Sequence, residues 1–414
     1  MKKFDAYKYY LFIETASSLF YFLAFTATSL YEIRVAGLSP LQLVLVGTTL
    51  ELTVLLCEVP TGIVADIYSR RLSIIIGFCL VGLGFLLEGL LPLFATILLA
   101  QVLWGLGYTF TSGSRQAWLS EEIGEEHANQ AFLRANKYNL GGSLAGMLLA
   151  ILIGSRQVNL PILASGGFFI ILAGILALTM SENGFHPAPM EQRNSYQQML
   201  HTFRLGLRTV RGRPRLISIL GMGLFYGLYS EGFDRLWVRH LLGRFALPAL
   251  FGNNEIAFFG ILMVSGMLLA IAATALIEKR LDTSQPRLIA RLMFGITIGI
   301  AAFIVLFAWS PFLDLTICIY VLLWALRNLV GPLTDAWVNQ RLDSDVRATV
   351  LSMIGQVDAI GQIAGGPLIG LVASLFSVTA AISISGLLLT PALPLIRAAN
   401  RKEPPAGETG AMIL

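Results

Sequence analysis

Apolar residues in this chain come in long unbroken runs, separated by short polar breaks, and not in the two-residue alternation of strands. A helix needs about 20 predominantly apolar residues to cross the hydrocarbon core of a bilayer. Runs of that length lie at 10–33, 41–65, 72–92, 94–117, 133–155, 159–180, 216–239, 254–277, 288–308, 311–333, 348–373 and 375–397. They predict an all-α integral membrane protein with twelve transmembrane helices. The tightest turns fall at Leu91-Pro92 and Ser310-Pro311.

Composition agrees with the pattern. Hydrophobic residues are 56% of the 414 positions and charged residues 13%, whereas soluble domains are about one quarter charged. The mean hydropathy of +0.72 is spread along the whole length, as many spans require. Lys2, Lys3 and Lys8 precede a first run long enough to span and lacking a small-residue cleavage site, so no cleavable signal is expected. Cys57, Cys79 and Cys318 all fall inside apolar runs. Their odd number and spacing give neither a disulfide framework nor a metal site.

The net charge of +4 acquires meaning once the spans are placed. With both termini on one side, that side carries 23 Lys and Arg and the opposite side five, Arg34, Arg156, Arg235, Arg239 and Arg244. Arg327 remains inside a span. This positive-inside bias predicts a multi-pass protein of the cell (inner or plasma) membrane with cytoplasmic N and C termini. It accounts for the basic character without nucleic acid.

The longest polar stretch divides the spans six and six. The expected organisation is an N-terminal six-helix bundle (1–180), a cytoplasmic linker (181–215), a C-terminal bundle (216–400) and a tail (401–414). Within the linker, Arg204, Arg208 and Arg211 alternate with Leu200, Phe203, Leu205 and Leu207. That suits either a helix lying on the anionic interface or a solvated connection that attracts lipid. The halves also resemble each other. Leu19-Phe20-Tyr21 recurs as Leu224-Phe225-Tyr226, and Gln116-Ala117-Trp118 as Asp335-Ala336-Trp337. The second match extends, ungapped, to Gly142, Ala145 and Gly146 against Gly361, Ala364 and Gly365. Two related bundles around a mid-membrane site that opens alternately to either side are a common transporter design.

After the second span the chain reads Glu58-Val-Pro-Thr-Gly-Ile-Val-Ala-Asp-Ile-Tyr-Ser-Arg-Arg71. Gly62, Asp66, Arg70 and Arg71 resemble the G-x-x-x-D-(R/K)-x-G-(R/K)-(R/K) loop of the major facilitator superfamily, with Ile67 and Ser69 departing from it. The resemblance implies two pseudo-symmetric six-helix bundles, a monomer, and a cytoplasmic latch built from Gly62, Asp66, Arg70, Arg71 and Arg115. Gly62 permits close helix approach. Asp66 has Arg70, Arg115 and the N-terminal end of span eleven as possible partners. The matching loop of the second half keeps only Glu278, Lys279 and Arg280. Features similar to drug–proton antiporters are mixed. Gln101 stands where a basic residue is typical, and the glycine–proline pattern falls in span eleven, at Gly361 to Gly370, and not in span five. Ser230-Glu-Gly-Phe-Asp-Arg-Leu-Trp237 and Glu58 to Gly62 are similar to bacterial members linked with drug efflux.

Charges inside spans cost about 2.5–3.5 kcal/mol on insertion scales and call for a reason. Glu51, mid-span, shares a helical face with Glu58 and Gly62. It is read either as a proton carrier or cation contact, or as a neutral hydrogen-bonding group between helices. Arg327 in span ten and Asp358 in span eleven are candidates for a charge pair, structural or functional. Glu231 and Asp234 in span seven sit beside Arg235, which suggests an intrahelical pair or a gate. Glu14 is placed near the cytoplasmic interface. The resemblance assigns the first span of each half to the cavity wall, making Tyr21, Phe25, Tyr226, Ser230 and Phe233 candidates for an aromatic substrate site.

Nothing points to an enzyme. The four histidines lack ligand spacing, no phosphate-cradling Gly-x-x-x-x-Gly-Lys-Ser/Thr run exists, and no cofactor is implied. The expected function is secondary transport of a small amphipathic solute by alternating access, most simply proton-coupled drug efflux. The alternatives are a defined metabolite moved in either direction and, remotely, a non-transporting membrane scaffold or enzyme. The implied partners are the solute, protons and membrane lipid.

Overall fold

A computed structural model describes residues 5–187, 214–252, 254–280, 285–339 and 344–400. The linker helix expected around Arg204–Arg211 and the tail at 401–414 lie outside them. The described residues form twelve helices long and apolar enough to cross a membrane: Ala6–Arg34, Pro40–Ile67, Arg70–Leu90, Phe94–Ile123, Glu125–Gly154, Leu160–Thr179, Leu216–Arg244, Glu255–Ile277, Arg287–Trp309, Leu313–Val338, Val350–Leu375 and Val378–Ala399. They are spans one to twelve below. Twelve crossings put both chain ends on one face, here called proximal; the other face is distal.

Local sequence explains the helix ends. Ser39 and Gln42 form a reciprocal capping box ahead of Pro40, which suits a first helical position because its missing N–H would have no partner there. Ser69 accepts a hydrogen bond from the Leu72 amide and starts span three. Span four departs from a straight helix. It breaks after Thr111, where Gly113 adopts φ +71°, and resumes as Ser114–Ile123. Arg115 therefore sits on a separate short helix at the proximal face. Span twelve is likewise interrupted between Leu388 and Ala392, beside Pro391.

Each half packs in the same way. Span one lies on span five, and span three on spans four and six; correspondingly span seven lies on span eleven, and span nine on spans ten and twelve. The repeated glycines sit at these contacts. A Cβ on Gly142 would come within 2.5 Å of the Thr15 carbonyl oxygen, and one on Gly146 would collide with the Leu19 carbonyl. In the second half Gly361 meets the Leu224 carbonyl and Gly365 that of Leu228. Removing the side chain lets backbones touch, which is how helices associate where no hydrophobic effect drives them together. Trp118 and Trp337, the other repeated residues, are each 1% exposed.

The halves meet near their distal ends. Span two packs on spans seven and eleven, and span five on span eight. The Leu41 amide donates to Ser374 Oγ at 3.2 Å, and Gly370 and Gly366 accept Leu41, Val44 and Thr48 of span two against their bare backbones. Arg34, at the distal end of span one, holds Glu255 of span eight in a two-pronged ion pair, Nε–Oε2 at 2.8 Å and Nη2–Oε1 at 2.5 Å.

Candidate solute cavity

Between the halves lies a cavity of about 550 Å³. Its N-terminal wall is aromatic: Tyr21 and Phe25 stack with ring centroids 5.6 Å apart, Trp104 stands edge-on to Phe25 at 5.7 Å, and Tyr108 lies 6.2 Å from Trp104. A helical spacing of four residues brings each pair together, Tyr21 with Phe25 and Trp104 with Tyr108. The Tyr21 hydroxyl and Trp104 Nε1 are buried without a hydrogen-bond partner. Buried polar atoms are normally satisfied; these two, in the aromatic wall, are not. Glu51, Glu58 and Asp358 are its acidic lining residues.

A second cavity of about 480 Å³ lies in the C-terminal half and shares Asp358 with the first. It is bounded by Tyr226, Ser230, Asp234, Arg327 and Asn328, among others. Arg327 grips Asp234 with both terminal nitrogens, one at 2.6 Å from Oδ2, and its Nε reaches the Tyr229 hydroxyl at 3.2 Å. Its guanidinium also lies 5.4 Å from the centre of the Phe233 ring. Pairing, hydrogen bonding and aromatic contact together make this cation tolerable at membrane depth. The Tyr226 hydroxyl is engaged with Thr297 Oγ1 at 2.7 Å.

Several residues occupy places other than those expected. Arg327 takes Asp234 of span seven as its carboxylate partner in place of Asp358, which instead accepts from Gln362 at 2.8 Å. The Arg327 side chain reaches the first of these because it leans onto span seven beside Tyr229. Phe233 does not line the cavity. It is 2% exposed and packs against Phe307 behind Arg327. Glu14 lies in the interior: it is 6% exposed, paired with Arg115 Nη1 at 2.7 Å and with Asn139 at 3.1 Å. Arg115 is thus engaged within its own half. Asp66 pairs with Arg70, and Arg70 also reaches Glu121 at 3.3 Å. The Arg71 amide and Ser69 hydroxyl donate to Glu182, fixing the loop onto the end of span six. Gly62 has open space where its Cβ would stand.

Glu231 and Asp234 point to different surroundings despite their proximity in sequence. Asp234 faces the cavity. Glu231, 4% exposed, accepts from Arg235 Nε at 2.9 Å and lies against Gly47 of span two, in the space a side chain there would fill. Two buried carboxylates nearby, Glu32 and Glu88, were not singled out by the sequence pattern. Each stands near the distal end of its span, where an acidic residue reads as interfacial.

A family model described as Major Facilitator Superfamily matches residues 10–366. The chain belongs to the Major Facilitator Superfamily. It is 23% identical over 345 residues to the MFS-type transporter YxaM of Bacillus subtilis (strain 168), covering 82% of each chain. Its fold is also that of the nucleoside transporter NupG (TM-score 0.74, 13% identity, 97% of this chain and 100% of that one). A bacterial homologue of the human lysosomal transporter Spinster, in an inward-facing and unoccupied conformation, superposes with a TM-score of 0.73 at 16% identity, covering 97% and 100%. At these identities the structural likeness carries the fold alone.

Proposed function

We propose that this superfamily transporter moves a small, cationic or zwitterionic, amphipathic solute by alternating access, with proton coupling. The observation that carries the reading is the lining of the two cavities: an aromatic wall with two unpartnered polar atoms faces four carboxylates, Glu51, Glu58, Asp234 and Asp358, of which Arg327 pairs with one. The excess of negative charge is complementary to a cation, aromatic faces attract cations, and the Trp104 N–H offers a donor to a solute oxygen or ring nitrogen. A carboxylate left without a cation at this depth is best served by a proton, so Glu51 is the residue assigned to coupling.

With the proximal face taken as cytoplasmic from the distribution of Lys and Arg, the closed distal ends make this an inward-facing arrangement. The loop from Gly62 to Arg71, with Arg115, would engage the second half only when that face closes. Broad drug efflux and transport of one metabolite both fit an aromatic, acidic cavity; the shared fold of the nucleoside transporter NupG favours a defined metabolite. The test is uptake into proteoliposomes of a panel of aromatic cations, zwitterions and nucleosides under an imposed pH gradient. A solute that drives proton flux in the native protein and not in Glu51→Gln supports the reading. Equal flux in that variant removes Glu51 from coupling, and preference for anionic solutes overturns the assignment of substrate charge.

A further inference from the structure

At the distal seal, away from the solute cavity, lie three buried carboxylates, Glu32, Glu88 and Glu231, and the partly buried Arg235. Glu32 of span one and Glu88 of span three are each 1% exposed, and each has one carboxylate oxygen, Oε1, without a hydrogen-bond partner. Glu88 Oε2 accepts from Gln101 of span four at 3.2 Å, and the Tyr31 hydroxyl is spent on the Glu88 carbonyl at 2.8 Å. From the second half, Arg235 lies within electrostatic reach of Glu32 and of Glu88 while bonded to Glu231. Glu231 also interacts with Asp234 and Arg327 on the cavity side, and with Glu51 of span two. Arg235 is hydrogen-bonded to Glu231, and the free oxygens of Glu32 and Glu88 have no such partner in this interface. Two uncompensated anions in such surroundings are untenable. Protonation neutralises a buried carboxylate without any further ligand.

We infer that Glu32 and Glu88 form a proton-binding site of the distal seal, distinct from the solute cavity, that is loaded when the seal is shut and unloaded when it opens. The inference rests on the alternating-access reading. In the closed form a proton from water completes an O–H bond on a free carboxylate oxygen. When the halves part, Arg235 and Glu231 withdraw with span seven, water enters, the O–H bond breaks heterolytically and the proton passes to the distal solution. Protonation then stabilises closure, and distal alkalinity favours opening. A one-proton linkage changes the open-to-closed ratio by up to about tenfold per pH unit.

The test needs no solute. In full-length protein with Cys57, Cys79 and Cys318 replaced by serine, a Val44→Cys reporter sits at the seal, where Val44 is 0% exposed against Gly370 and Gly366. Leu250→Cys, 90% exposed on the distal loop after span seven, reports the pH dependence of the thiol chemistry alone. In proteoliposomes, labelling by an external membrane-impermeant maleimide is expressed as the rate at position 44 divided by that at 250. The ratio is expected to rise at least about threefold between about pH 5.5 and 8.5, well within a one-proton linkage. It should be flat in Glu32→Gln/Glu88→Gln, with each single substitution reducing the response. A response that persists in the double variant, that disappears only in Glu51→Gln, or that follows sodium at fixed pH overturns the site. Labelling at position 44 that is independent of pH sinks the proton site and leaves alternating access standing. No labelling at any pH sinks both.

Discussion

At the scale of the residue, Arg327 and Asp234 show how charge is housed at membrane depth. The side chains are 22% and 45% exposed, so the pair lies between a surface pair, worth about 0–1 kcal/mol, and a buried one, whose disruption costs about 3–5 kcal/mol. Arg327→Leu leaves Asp234 unpaired in the cavity and should lower the thermal midpoint of the detergent-solubilised protein by several degrees. Arg327→Leu/Asp234→Leu should regain most of that stability while transport stays lost, separating the pair's structural role from its contact with solute. If the double variant is as unstable as the single one, unpaired charge is not the cause. Trp104 invites a finer substitution. Trp104→Phe keeps an aromatic face while deleting the N–H and narrowing the ring, so it should raise KM for the transported solute by at least roughly tenfold, about the value of one hydrogen bond to a solute. Trp104→Ala also removes the wall and should cost more. An unchanged KM in Trp104→Phe would mean the N–H contributes nothing.

At the scale of the element, glycines divide sharply by what surrounds them. Gly146 faces the Leu19 carbonyl, while Gly141, five residues earlier in the same span, has nothing within 4 Å of its Cβ position. Gly146→Ala should push spans one and five apart and reduce the yield of folded protein, whereas Gly141→Ala should be neutral or slightly stabilising because alanine loses less backbone freedom in a helix. Size-exclusion profiles of the two variants decide the matter. Repetition made this contact legible in advance: the Gly142–Gly146 and Gly361–Gly365 matches sit at equivalent helix crossings. The twelve spans were legible too, since apolar length is dictated by bilayer thickness, and so was the common face of Glu51 and Glu58; that Tyr21 and Phe25 line the same cavity as these two is a tertiary fact. Side-chain pairing was not. Sequence spacing offered Arg327 the carboxylate of a neighbouring span, but a long arginine chooses by packing direction, and it leans onto span seven. The sequence pattern assigns no cavity role to Trp104 or Tyr108, and only the tertiary arrangement turns them toward the cavity. Glu14 looked interfacial because its burial depends on Arg115, which the break at Gly113 delivers from another helix.

At the scale of the whole molecule, the decisive feature is that the halves touch at one end and enclose a cavity toward the other. Contacts of one state bias the equilibrium by the free energy they lose in the other. The Arg34–Glu255 pair, with side chains 48% and 26% exposed, is a modest clasp of that kind. The backbone-to-hydroxyl bond from Leu41 to Ser374 marks where spans two and eleven must separate if the distal side is to open. Cysteines placed at both positions, Leu41→Cys and Ser374→Cys, in a background lacking the native thiols, can be joined by a short bifunctional thiol reagent. Joining them should hold the distal ends together, trap the arrangement seen here and abolish solute exchange, and cleaving a reducible linker should restore it. Each single-cysteine protein treated with the same reagent should keep its activity, which separates tethering from simple modification. Rocking of two rigid halves demands this result, because no solute can cross while one end is tied. Transport at an undiminished rate through the tethered protein would mean that the distal ends need not part, and the alternating opening of the central cavity would have to be abandoned.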